Sequence, residues 1–209
     1  MMRTEINWID QTRAGDICRP LRLLVQGDVR LLWAGREFAE EVEKIVRDPD
    51  CLSVCLTARM AAEGYYPLPH AMTPIARFTA DTAPIFIGET VCRIAPEQPT
   101  GLTHSSAELA AAGGWGILRE GQLVSAAWSL VDTAGNVNAR EIALETAPAY
   151  RRQGLASAAA SALICDLLSA GQRPIYRCSE DNAASLAVAC AIGLRRVGTE
   201  YAPAFRRAK

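Results

Sequence analysis

The chain has 209 residues, half of them apolar, with 22 basic and 23 acidic side chains and a formal net charge of −1. That is apolar material for one large domain or two small ones, and a sequence pI near 6.2 excludes the basic excess that would point to nucleic acid or an anionic membrane. The charged start Met1-Met2-Arg3-Thr4-Glu5 is followed by no apolar stretch, and no apolar run approaches the roughly 18 residues of a membrane span, so the expectation is a soluble, cytoplasmic protein.

Residues 1–27 are weakly patterned, broken by Pro20 and Gly27 around a short strand at 21–25. Residues 29–33 read as a strand. Residues 36–48 read as a helix, with Phe38, Val42, Ile45 and Val46 on one face and Glu37, Glu40, Glu41 and Lys44 outward, and Pro49 stops it. Leu52, Val54 and Leu56 alternate, which predicts a further strand. Gly64, Pro67, Pro69 and Pro74 make residues 64–77 a loop by composition. Its Tyr65, Tyr66 and His70 suit either a lid over an acceptor site or an ordinary surface loop. Strands are expected at 84–88 and 90–94, closed by Pro96 and Pro99, and the domain boundary is placed here: an N-terminal α/β region over 1–84 and a second domain over 85–209. A helix at 105–112 follows, then a hairpin of 115–119 and 123–130 about a Glu-Gly turn, and a turn at 132–136. The seven cysteines are odd in number and scattered, a pattern that supports neither a disulfide framework nor a zinc site. Cys51 and Cys55, the one close pair, would lie roughly 13 Å apart on the expected strand.

The most informative stretch comes next. Ile142, Leu144 and Thr146 alternate with Glu141, Ala143 and Glu145, a strand pattern that Pro148 ends. From Gly154 the period changes to that of a helix: Leu155, Ala158, Ala159, Ala162, Leu163 and Leu167 keep helical spacing until Gly171. A helix entered through Arg151-Arg152-Gln153-Gly154-Leu155-Ala156 offers unpaired backbone N–H groups, a positive dipole end and two guanidinium groups, with no Cβ at Gly154 to obstruct approach. That is a site for a polyphosphate. A strand over 174–178, a second helix opening at Asn182-Ala183-Ala184-Ser185 and a last strand complete the chain.

Arg151, Gly154 and Ala156 fit the pattern Arg/Gln-x-x-Gly-x-Gly/Ala, and Asn182, Ser185, Gly193 and Leu194 fit a second motif in the expected order. On these residues the chain resembles the GNAT superfamily of acyl-CoA N-acyltransferases from its middle to its C-terminus. The resemblance implies a mixed α/β fold with a mostly antiparallel, splayed central sheet flanked by helices, with acetyl-CoA as co-substrate. It implies transfer of an acetyl group to a primary amine of a small molecule or peptide, by a monomer or homodimer. Pyrophosphate would sit on residues 151–156, the pantetheine amides on the backbone of Leu144, Glu145 and Thr146, and Asn182 and Ser185 would touch the cofactor from the other side. The alternative is a module of the same fold that binds acyl-CoA without transferring the acyl group.

Such chemistry needs a base for the ammonium and stabilisation of an oxyanion. Glu145 and then Glu141 are the best carboxylates, half-desolvated on a strand, which is expected to raise their pKa, and a bulge could re-aim one of them. Each could instead pair structurally with Arg140 or Arg177. His104, before a short helix, reads as a neighbour of the helix cap. Where the family often carries a tyrosine acid this chain has Ala189, and Tyr201, Tyr176 or Cys190 are the substitutes at hand. No P-loop or dinucleotide glycine motif is present. The acidic face over residues 37–43 suits a cationic acceptor or is a solvated helix face.

Overall fold

The computed structural model describes residues 3–10, 12–69, 72–84, 89–131 and 137–208. His70, residues 85–88 of the strand expected at 84–88 and the turn expected at 132–136 lie outside the described residues. The chain divides into two compact units, one made of residues 1–76, 179–181 and 197–209 and the other of residues 77–178 and 182–196.

The first unit begins with β1 (Arg3–Ile9), where no strand is expected from the pattern. Strands β2 (Arg13–Ala14) and β3 (Ile17–Cys18) form a small hairpin. Strands β4 (Leu21–Gln26) and β5 (Val29–Gly35) form a larger one across Gly27, whose φ of 56° suits the turn. β1 then pairs with β5 in parallel, a long-range contact that local alternation does not announce.

Helix α1 (Ala39–Arg47) buries Val42 and Ile45, with Phe38 just before it. Glu41, expected outward, is buried as well. Residues 52–56 correct the sequence reading: they belong to helix α2 (Leu52–Ala62), not to a strand. Leu52, Leu56 and Met60 are all buried while Val54 is 72% exposed, so the apolar period is four, and the short alternation was part of one helical stripe. Cys51 and Cys55 are consequently about one turn apart, and burial together with the neighbouring Cys55 pushes the Cys51 thiol up to about 11. The composition-defined loop also contains a strand, β6 (Tyr65–Pro67).

Strand β7 (Ile75–Thr79) leads into the second unit, where Thr79 Oγ1 donates to the Pro174 carbonyl at 2.9 Å. β8 is only Cys92–Arg93, shorter than expected. Helix α3 (Ser106–Ala111) starts in a capping box: Ser105 and Glu108 exchange side-chain-to-backbone bonds. β9 (Trp115–Arg119) and β10 (Gln122–Val131) form the expected hairpin, with φ positive at both Glu120 (51°) and Gly121 (77°), as a two-residue turn of this hand requires. β11 (Ala139–Thr146), α4 (Leu155–Ser169), β12 (Arg173–Ser179) and α5 (Ala183–Ala191) follow. The strands of this unit run in the order β7-β12-β11-β10-β9-β8. The β8/β9, β9/β10 and β10/β11 pairs are antiparallel and β11/β12 is parallel. α4 is apolar nearly all round, with Leu155, Ala158, Ala159, Ala160, Leu163 and Ile164 buried, as a helix laid on a sheet and covered on several sides must be.

The C-terminal strands rejoin the first unit. β13 (Arg195–Tyr201) pairs with β4 from Thr199↔Val25 to Tyr201↔Leu23, and β14 (Phe205–Arg207) pairs with both β3 and β6. Phe205 is fully buried in a core with Leu32, Phe38, Leu56 and Met60. The division therefore falls at 76/77 with a returning C-terminus, where proline content had suggested 84/85. Among the described residues no helix is long and apolar enough to cross a membrane.

Candidate functional site

β10 and β11 pair without slip from Ser125↔Thr146 to Val131↔Arg140, so the bulge that the sequence reading allowed in the central strand is absent there. A register shift occurs instead in the β9/β10 pair, between Leu123 and Ser125. On its other edge β11 pairs with β12 only from Ala139↔Arg173 to Ile142↔Tyr176. Past that point the two parallel strands part, and β11 continues through residues 143–146 without a β12 partner.

The parting opens a cleft of about 970 Å³. Its walls are Leu144, Glu145 and Thr146 of β11, the turn at Tyr150, Arg151, Arg152 and Gly154, the first turn of α4, Tyr176 of β12, and Asn182, Ser185 and Val188 around α5. Of the residues expected at the cofactor, Leu144, Glu145, Thr146, Arg151, Arg152, Gly154, Leu155, Ala156, Asn182 and Ser185 all line it. Gln153 does not, and its side-chain amide donates to the Ala149 carbonyl at 3.4 Å.

The turn is shaped for an anion. Arg152 and Gly154 both have left-handed backbone, with φ of 61° and 81°, an alternation that gathers successive N–H groups into a concave nest. Gly154 is the residue before α4 and supplies no side-chain cap, so the first N–H groups of that helix have no intrahelical acceptor. Arg151 is tethered by Nε to the Thr146 carbonyl at 3.1 Å. Asn182 Oδ1 accepts from the Ser185 N–H at 3.1 Å, capping α5.

The two carboxylates have parted roles. Glu141 accepts from Arg177 at 3.0 Å, the structural pairing the sequence reading had held open, and does not line the cleft. Glu145 lines the cleft and accepts from the Thr103 N–H at 2.6 Å, the His104 N–H at 3.4 Å and, at 2.8 Å, meets His104 Nδ1. Burial alone would raise its pKa, but the hydrogen bonds from His104 and Thr103 prevail and hold the carboxyl down to about 2. The expected upward shift is thus corrected: the carboxylate has more donors than desolvation can offset. The His104 ring lies 4.8 Å from the Trp128 ring. His104 does adjoin the cap of α3, as its sequence suggested, yet its partner is 41 residues away and invisible to local pattern.

Tyr176 lines the cleft, with Phe78 at a ring separation of 6.4 Å; burial pushes its phenol up, against the smaller opposing influence of Ser185. Tyr201 belongs to the first unit, packed on that unit's core, and Cys190 is exposed. Neither lines the cleft. Among the described residues no cluster of three or more His, Cys, Asp or Glu could hold a metal.

Residues 107–202 match the family model described as GNAT acetyltransferase. Solved structures share the fold. A protein from Novosphingobium aromaticivorans described as an acetyltransferase of the GNAT family is 18% identical over 70% of this chain and 69% of its own, with a TM-score of 0.53. A GNAT-family acetyltransferase from Colwellia psychrerythraea is 13% identical over 66% of this chain and 56% of its own, at 0.51. A GCN5-related N-acetyltransferase from Sphaerobacter thermophilus is 12% identical over 85% and 71%, at 0.50. No curated protein matches the chain.

Proposed function

We propose, from the match of residues 107–202 to the GNAT acetyltransferase family model and the fold shared with GNAT-family structures, that the chain transfers an acetyl group from acetyl-CoA to a primary amine of a small molecule or peptide. The observation that carries the reading is the cleft itself: an unpaired strand edge at residues 143–146 that ends on an anion-binding turn at the start of α4. The edge can pair with the pantetheine amides as an added strand. The nest at Arg152 and Gly154, the α4 N-terminus and the two arginines suit the pyrophosphate.

Deprotonation falls to Glu145 acting with His104. A carboxyl held near 2 is alone a poor proton acceptor at neutral pH, but the imidazole it orients at 2.8 Å can take the proton while the carboxylate stabilises the resulting imidazolium. Glu141, tied to Arg177, supports the strand instead. Ala189, small and fully buried where the family often has tyrosine, favours a second reading, an acyl-CoA-binding module without transfer. The deciding experiment follows thiol release from acetyl-CoA against amines, amino acids, aminoglycosides and peptides. Amine-dependent release supports transfer. Binding of acetyl-CoA by calorimetry with no release from any acceptor leaves the module, and absence of binding removes both.

A further inference from the structure

We propose that two copies of this chain join through the open edge of β1, pairing antiparallel about a two-fold axis at Ile6. The strand lies outside the family-matched residues 107–202, and nothing in the pairing depends on acyl transfer.

β1 ends its sheet. Within the first unit the order is β1-β5-β4-β13, and β5 is its partner from Arg3↔Val29 to Ile9↔Gly35 without a slip. The Arg3 N–H donates to the Asp28 carbonyl at 2.8 Å, which fixes the parity of a parallel pair. The N–H and C=O groups of Arg3, Glu5, Asn7 and Ile9 turn toward β5, so those of Thr4, Ile6 and Trp8 turn outward, along about 23 Å of open backbone.

Natural edges are commonly blunted by lysine, proline or a bulge. β1 has none of these. Its charged residues, Arg3 and Glu5, pair with each other at 2.9 Å, while Ile6 and Trp8 are 42% and 38% exposed. The two apolar side chains share a face with their β5 partners Leu32 and Ala34, which are fully buried. The apolar layer that holds Val42 and Ile45 of α1 therefore runs outward onto β1 and stops there in water.

The residues of the strand select a second copy as the occupant. In an antiparallel pair the outward residues must face one another, and a two-fold axis makes the contact self-complementary. An axis at Ile6 sets Thr4 against the partner's Trp8 and Ile6 against the partner's Ile6, and it matches the strand over its whole length, Arg3–Ile9. On that face the two isoleucines lie between the two indoles. On the other face Glu5 meets the partner's Asn7, whose amide can donate to the carboxylate, and Arg3 lays its aliphatic stem on the partner's Ile9. An axis at Glu5 would oppose two carboxylates, and one at Asn7 would press Glu5 against isoleucine. An axis at Thr4 or Trp8 leaves most of the strand unmatched. Charge and length thus choose the same register.

The test is sedimentation of the full-length chain over a concentration series reaching about 100 μM, where the wild type should show a reversible monomer–dimer equilibrium. Ile6→Lys places two ammonium groups at the axis and should raise the dissociation constant by about tenfold or more. Asn7→Lys should do the reverse. Lysine on an edge ordinarily discourages pairing, but here it faces the partner's Glu5, so the dimer should tighten by about fivefold at low salt and lose that gain at high salt. A wild-type chain that stays monomeric throughout overturns the proposal, including the case in which the edge takes a strand of a different protein. A dimer that a folded Ile6→Lys variant leaves intact overturns it as well, because another surface then makes the contact. If Ile6→Lys does not fold, Asn7→Lys decides by itself: weakened or unchanged association removes the register at Ile6 and the proposal with it.

Discussion

In each compact unit a strand glutamate is surrounded by donors, and the donors differ in kind: a guanidinium in the first, backbone amides and an imidazole in the second. In the first unit Glu200 of β13 is fully buried and accepts two bonds from Arg22 of β4, at 2.7 and 2.8 Å, with Trp33 under the guanidinium at 5.5 Å. In the second, Glu145 of β11 faces the cleft and is bound by two backbone N–H groups and by His104. Arginine keeps its charge at any ordinary pH, so the Glu200 pair can hold strands together but cannot move a proton. An imidazole has one nitrogen that can accept a proton and one that can donate it, so the Glu145 pair can. Burial and a short carboxylate contact do not by themselves mark a catalytic group; a partner able both to take and to give a proton is also needed.

The largest loss of activity is expected at Glu145. Glu145→Gln or His104→Ala should lower kcat by about 10²–10⁴-fold with acetyl-CoA affinity nearly unchanged, measured by thiol release and calorimetry. Retention of full turnover and of the acidic limb of the pH–rate profile in both variants would show that the pair is structural after all.

Arg22→Met is the matching experiment in the first unit. It strands a buried carboxylate and should cost about 3–5 kcal/mol in urea unfolding, while the double variant Arg22→Met/Glu200→Gln should recover much of that loss. An additive double variant would mean that the two side chains do not act as a pair.

Charge at the anion turn should have a smaller effect. Arg151→Glu is expected to weaken acetyl-CoA binding by about tenfold, more strongly at low salt, because a carboxylate then faces the pyrophosphate at a helix N-terminus. Salt-independent affinity would argue against a phosphate there.

The smallest expected effect lies in acid stability. The Glu145 carboxyl is lowered from 4.5 to about 2 in the folded protein, so its ionised form contributes stability that is fully present above pH 4.5 and is lost as pH falls toward 2. Wild type should therefore outlast Glu145→Gln in denaturant at pH 7, with the gap closing between those limits. A gap that stays constant with pH would remove the depressed carboxyl from the account.

Much of the second unit was legible because its signals are local. The β9/β10 hairpin is written in Glu120-Gly121, α3 in the Ser105–Glu108 capping spacing, and the anion turn in Gly154 followed by an alanine-rich helical run. The first unit was less so. β1 and β6 exist through partners far along the chain, β5 and β14, and carry no strong alternation of their own. Residues 52–56 satisfied a strand template and a helical one equally over so short a window, and only the burial of Leu56 and Met60 against the core chose between them.

By itself the sequence determined the order of elements from β9 to α5, the glycine turn that opens α4 and the family to which the chain is similar, since all of these depend on residue types a few positions apart. Only the tertiary structure decided the rest. It sent residues 197–209 back to the first unit, because strand pairing and the burial of Phe205 are long-range. It parted β11 from β12 at Tyr176 and brought His104 to Glu145, and so decided which carboxylate faces the cleft and which donors hold its pKa down. A pKa depends on which donors surround a group in space, and that arrangement exists only once the chain has folded.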